Sequence, residues 1–312
     1  MNHKFITSFY YVIVALICTQ TAQAKNDDTQ YIPLLQYDDV HLRTHNIQSS
    51  SIGLLTQNAD IMFIGLYTKH DFNAPLAYNF PQQYHTIDTL LDAKNGRDQY
   101  LGIFKSQSDQ PIGGGINTFH AGVVYGYEFI RRKDFSLVLG GGIAAGNFGL
   151  KTADGNNWPL IPVPLARLNY HTEWIDSKFE FLTSPDLSFT IAPKSHVRLT
   201  GDFRMNQFRD ARDIIFELAL AYRPYTDQDE FGDFAGISVG IKNDNFGAFK
   251  LGNKAETESI EVHYYALFAA VDISVVKVSA GHTFGGRTLY RETIKQDMGE
   301  GYFVTVQGMY PF

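Results

Sequence analysis

Gly301-Tyr302-Phe303-Val304-Thr305-Val306-Gln307-Gly308-Met309-Tyr310-Pro311-Phe312 ends the chain. Taken in steps of two, Tyr302, Val304, Val306, Gly308, Tyr310 and Phe312 share one face. Phe303, Thr305, Gln307, Met309 and Pro311 form the other, which is mixed and wetter. Successive side chains of a strand alternate faces, so the stretch predicts a strand with one almost continuous apolar face and aromatic residues at both ends. A strand that crosses a bilayer takes about 9–11 residues and carries aromatics at its two interfaces. An edge strand of a soluble sandwich also alternates. A long apolar strand left free at a chain end would, however, invite pairing with other chains. The stretch therefore predicts a membrane-spanning strand.

Hydropathy along the rest of the 312 residues agrees. After the N-terminus no segment reaches 18 consecutive apolar residues, and mean hydropathy is −0.17. The one spanning design such a chain permits is a closed barrel, whose strands alternate and never look hydrophobic overall. The expected fold is an all-β, closed antiparallel transmembrane barrel of about twelve strands, within a range of roughly ten to fourteen. It is expected to occupy residues 61–312, after a leader at 1–24 and a polar segment at 25–60. That segment is a periplasmic lead, a plug or a weak first strand.

The leader is read from Lys4, the apolar run of residues 5–18 and the small-residue pattern Ala22-Gln23-Ala24. The run is too short to span a bilayer as a helix. Cys18 raises a lipoprotein alternative, but Ile17 stands where a small residue is wanted. Cleavage after Ala24 removes the only cysteine, so the mature chain has no disulfide, no thiol nucleophile and no cysteine-based zinc site. It then holds 25 basic against 33 acidic residues, a charge of about −8, which argues against nucleic acid as a partner.

Periodicity is sharpest in the middle of the chain. Phe119, Ala121, Val123, Tyr125, Tyr127 and Phe129 share a face, and after the turn at Arg131-Arg132-Lys133-Asp134 so do Phe135, Leu137, Leu139, Gly141, Ile143 and Ala145. This is a hairpin, with glycines on its inner face. Val197, Leu199, Gly201, Phe203 and Met205 alternate with Arg198, Thr200, Asp202, Arg204 and Asn206. Residues 71–98 and 285–300 read as loops, with a possible helical turn at 89–93, and residues 227–233 as an acidic loop. Residues 245–252 fit either strand or loop.

Trp158-x-Leu160-x-Pro162, continued by Leu165, Leu168 and Tyr170, is followed by the stretch 218–224 and the Phe-terminated strand. In that order these features resemble a family of Gram-negative outer-membrane β-barrels defined only as a domain of unknown function, over roughly residues 115–312. The resemblance implies location and fold and supplies no activity. The terminal Phe312 and the face Tyr302, Val304, Val306, Gly308 and Tyr310 likewise resemble the insertion signal read by the barrel-assembly machinery. That machinery and outer-membrane lipid are the expected partners.

Charges facing lipid near the midplane would cost about 2–4 kcal/mol each, so alternation places them in the lumen. Arg198, Asp202 and Arg204 are the expected lining, with Glu217 as a cross-strand partner; His120, Glu128, Glu261 and His263 are assigned to the same inner surface. They read as an ion-pair filling of a narrow barrel or as a selectivity lining. Ser279 and His282, three apart, point to opposite strand faces, which weakens a lipid-hydrolase pair. The acids of 227–233 lack a histidine, and His41 with His45 makes a weak zinc pair. No cofactor is expected, and an enzyme is not the leading reading. The leading expectation is a narrow pore for small solutes. A plugged barrel serving surface binding or structure comes second, with recognition in 71–98, 225–233 and 285–300; a lipid-modifying enzyme comes third. N-terminal sequencing of the membrane-embedded protein should begin at Lys25; a lipidated Cys18 would overturn that.

Overall fold

The computed structural model describes residues 29–72, 82–108, 119–146, 160–182, 184–205, 214–224, 235–251, 258–290 and 294–309. They form sixteen strands. In order these are β1 Gln30–Leu42, β2 Asn46–Gln57, β3 Ile61–Phe72, β4 Gln83–Asn95, β5 Asp98–Ser108, β6 Phe119–Arg131, β7 Phe135–Gly146 and β8 Leu160–His171. Then follow β9 Ile175–Phe181, β10 Pro185–Ile191, β11 Val197–Met205, β12 Ile214–Tyr222, β13 Ala235–Leu251, β14 Glu258–Ile273, β15 Val276–Tyr290 and β16 Ile294–Met309. Each pairs with its chain neighbours, and β1 pairs antiparallel with β16, so the sheet closes on itself.

The strand number corrects the expectation of about twelve. Periodicity does not mark β1, β2 and β4, because polar residues stand on both of their faces. In β1 Asp38 points inward and Asp39 outward, and β2 carries Ser49, Ser50 and Ser51 in a row. β4 lies inside the presumed loop 71–98, and its residues 89–93 are strand rather than helical turn. Likewise 285–300 holds the end of β15 and the start of β16, and β13 runs to Leu251. The barrel begins at Gln30, within the polar segment 25–60.

The count is even, so the ends of β1 and β16 lie at the same rim. The connections there are mostly tight, such as 58–60, 96–97, 132–134, 172–174 and 274–275. Those at the opposite rim include 73–82, 109–118 and 147–159. Short turns face the periplasm in bacterial barrels, which makes the second rim the outer one. The acidic stretch 227–233 lies outside the described residues.

Outward faces are apolar. Val123 (63% exposed), Ile143, Phe129, Leu199, Leu220, Val239, Leu267 and Tyr302 all project from the barrel's exterior. Val304 and Val306 lie on the outward face with Tyr302; Gly308 follows by alternation, and Tyr310 and Phe312 are outside the described residues. Inside, the apolar residues gather in two buried clusters. Val40, Leu42, Ile47, Phe72, Tyr84, Val262, Tyr264, Met298 and Phe303 belong to the first. Leu101, Val124, Val138, Ala144, Val163 and Leu165 form the second.

Sixteen strands ordinarily enclose a water-filled channel. Here β5 and β13 approach within 8 Å (Cα to Cα) across the lumen, although they are not neighbours in the sheet. The barrel is pinched between its two clusters. Tight coiling on the β7 side uses Gly140 and Gly142, where a Cβ would stand 2.0 Å from the carbonyl oxygens of Tyr125 and Val123. Val123→Arg, on the lipid face, should destabilise the barrel by about 2–4 kcal/mol, whereas Thr200→Arg on the inner face should be tolerated. Urea unfolding of the two variants in lipid would check this.

Candidate functional site

The lumen wall has two characters. On β11, Arg198, Thr200, Asp202 and Arg204 point inward, opposite the outward Val197 and Leu199. The backbone is an uninterrupted strand, so the sequence alternation is carried directly into space. Arg204 Nε lies 3.2 Å from Asp202 Oδ1, yet these side chains are 59% and 44% exposed. Arg198 Nε donates to the carbonyl of Ser195 (3.0 Å).

Glu217 on β12 stands directly across from Asp202, so two acids are adjacent on one face. Like charges in that position repel. Cations flank them: Lys242 is beside Glu217 in the β12–β13 register, and Lys277 reaches from β15 to within 4.0 Å of Glu217. Lys242 Nζ also sits 4.3 Å from the centre of the Phe303 ring. This wall is wet, charged with both signs and built from β10 to β13 with β15.

On β6, His120 and the buried Glu128 lie on the inner face, and Arg131 pairs with Glu128. Glu261 pairs with Leu289 through its backbone, and its side chain lies outside the described residues. On β14 the buried row is Val262, Tyr264, Ala266, Phe268 and Ala270; His263 is buried as well, at 6% exposed, beside a register shift in the β14–β15 ladder between His263 and Tyr265. In this strand both faces are apolar, so the sequence offers no contrast by which to choose the inner one.

Among the described residues, the most buried charged group is one that the alternation pattern did not single out. Arg167 on β8 is 5% exposed; its Nη1 lies 2.8 Å from Asp92 Oδ2 on β4, and its Nε lies 2.6 Å from Glu180 Oε2 on β9. Nη1 also donates to Gln99 Oε1 on β5 (3.0 Å), and Lys178 Nζ is 3.5 Å from Glu180. Three strands intervene between β4 and β8 in the sheet, so the guanidinium spans the lumen on the side of the second apolar cluster. The signal was present: Arg167 is the lone charge between Ala166 and Leu168, in phase with Val163 and Leu165.

A second polar lining marks the closing seam. Gln307 donates to Gln36 (3.0 Å), Gln36 to Asp38 (2.7 Å) and Thr305 to Asp38 (2.7 Å). Outside the seam, His41 stacks on Tyr302 (4.6 Å) and pairs with Asp39 (3.1 Å). No group of three or more His, Cys, Asp or Glu able to hold a metal occurs among the described residues. Ser279 is buried, whereas His282 faces outward and lies 3.7 Å from Glu300.

Arg167→Met should cost about 3–5 kcal/mol, because it leaves Asp92 and Glu180 buried without their cation. Adding Asp92→Asn and Glu180→Gln should return much of that loss. Denaturant midpoints of the single and triple variants provide the check.

No protein-family model matches the chain, and no curated protein matches it. Similar solved structures include Gram-negative outer-membrane β-barrels. OccK8 (OprE) of Pseudomonas aeruginosa is 11% identical, with 91% of this chain and 98% of that one covered and a TM-score of 0.34. OccAB4 of Acinetobacter baumannii is 10% identical, with 93% and 99% covered and a TM-score of 0.36. OmpT, an outer membrane protein of Vibrio cholerae, is 11% identical, with 92% and 99% covered and a TM-score of 0.34. The barrel assignment rests on this chain's own closed ladder and apolar exterior: it is an outer-membrane-type β-barrel.

Proposed function

We propose that the protein is an integral outer-membrane barrel acting as a narrow pore for small solutes, with the passage along the wall of β10 to β13. The observation that carries this reading is the exposure of inward charges. Arg204, Asp202, Glu217 and Lys277 have side chains 59%, 44%, 43% and 38% exposed, although they point into a closed barrel. Charges packed as a plug would be desolvated, as Arg167 is. The pinch at β5 and β13 supports a passage smaller than an open sixteen-stranded barrel would leave. Both signs of charge line the wall, so selectivity between anions and cations should be modest.

The alternative, a plugged barrel used for surface binding or as a structural element, draws on the first apolar cluster. Its Ile47, Tyr84, Val262 and Met298 are completely buried. Planar-bilayer recordings of purified, reconstituted protein separate the two, since a silent barrel supports the plug. For the pore, Asp202→Ala should change stability by less than about 1 kcal/mol, because water screens the Arg204 pair. Its ion selectivity should shift toward anions. A large stability loss with no conductance in either protein would sink the pore reading.

A further inference from the structure

The barrel wall is uneven in height. β9 and β10 have 7 residues each and β11 and β12 have 9, between β8 with 12 and β13 with 17. Seven residues rise about 23 Å and, once tilted, fall short of the roughly 9–11 residues needed to cross a bilayer. The shortfall lies entirely at the outer rim. β8 and β9 are paired from the turn at 172–174 upward, His171 with Asp176 through Ala166 with Phe181, and there the ladder stops. Above it, among the described residues, β8 from Leu160 to Leu165 pairs with β7 alone.

That bare edge carries Pro162 and Pro164. Proline has no N–H to donate, and it occurs in sheets on edges rather than in centres. The edge is therefore poorly suited to accept another strand. Behind it, the inward residues of the same stretch are Ile161, Val163 and Leu165. Val163 and Leu165 are 2% exposed within the second apolar cluster, and Ile161 packs against that cluster together with Leu182 at the top of the β9–β10 hairpin. In front of it, Leu160 is 54% exposed on the lipid face. Apolar surface thus continues from the exterior, across the edge, to the interior. The neighbouring inner wall on β10 to β12 is charged and wet.

We propose that this low wall is a side portal, through which the alkyl chain of an amphiphile dissolved in the outer leaflet reaches Ile161 and Leu182, the partly exposed margin of the apolar cluster inside the barrel. An alkyl chain is the fitting occupant because Ile161 and Leu182 offer partly exposed aliphatic surface, the edge lacks donors for a peptide strand, and the opening is continuous with the lipid-facing surface. The polar end of the amphiphile is then held toward the charged wall of β10 to β12. The portal takes from the proposed function only the membrane setting and does not depend on conduction to the periplasm.

Fluorescence quenching tests it. In a Trp158→Phe, Trp174→Phe background, single probes are placed by Ile161→Trp, by Leu182→Trp and, as a control on the inner face of an uninterrupted strand, by Thr200→Trp. Each variant is reconstituted in phosphatidylcholine vesicles with or without bromine on the acyl chains, and heat-modifiable mobility confirms closure beforehand. If Ile161→Trp does not close, Leu182→Trp carries the test. The portal predicts that the probes at 161 and 182 lose most of their emission in brominated vesicles while the probe at 200 keeps its own. Unquenched probes at 161 and 182, or equal quenching at all three positions, would overturn the proposal. Conductance is read separately: a silent barrel with quenched probes sinks the pore and leaves the portal, and a conducting barrel with unquenched probes does the reverse.

Discussion

In hydrocarbon no water is at hand to satisfy a backbone N–H or C=O, so a sheet that enters the membrane has to close. Everything else in this protein follows from the ladder between β1 and β16. With that seam made, the exterior is free to be apolar and the interior free to be anything that packs or hydrates. The seam itself carries side-chain bonds on its inner surface, from Gln307 through Gln36 and Asp38 to Thr305. Polar residues on so early and so late a strand are therefore part of closure as well as of the lumen.

The interior divides between two ways of handling charge. Where the walls approach each other, charge is desolvated and has to be matched atom by atom, as Arg167 is by Asp92, Glu180 and Gln99. Where they stand apart, the charges are exposed, and Asp202 faces Glu217 with Arg204 and Lys277 beside them in looser, solvent-screened pairs. The same residue types therefore contribute differently: about 3–5 kcal/mol is at stake when a buried pair is broken, against at most about 1 kcal/mol for an exposed one.

How much of this the sequence discloses depends on contrast between faces. Strands such as β6, β7 and β11 set apolar residues against Gly, Thr or charge, and their inner faces read directly. β1, β2 and β4 mix polar residues on both faces, so period two vanishes and these strands go unmarked. β14 fails in the opposite way: both of its faces are apolar, so nothing local marks Tyr264, Phe268 and the small residues between them as the filling of the interior. Ring closure is a global property, invisible in any window of ten residues. The meeting of Arg167 with Asp92 also depends on how far the strands shear past one another, which no local pattern encodes.

The pairing of β1 with β16 has a kinetic consequence. Thr305 and Asp38 are 267 residues apart along the chain. Closing so long a loop, compared with a hairpin of about twenty residues, adds only about 2 kcal/mol of entropy, because the cost grows with the logarithm of length. Time is the larger obstacle, since contacts between distant residues slow folding strongly. Until the last strand arrives, β1 and its neighbours present an unpaired edge that can join to any other chain. The open intermediate is thus both the slowest species on the route and the stickiest, and an escort that holds the first strand until the last one reaches it would act where the chain is most vulnerable.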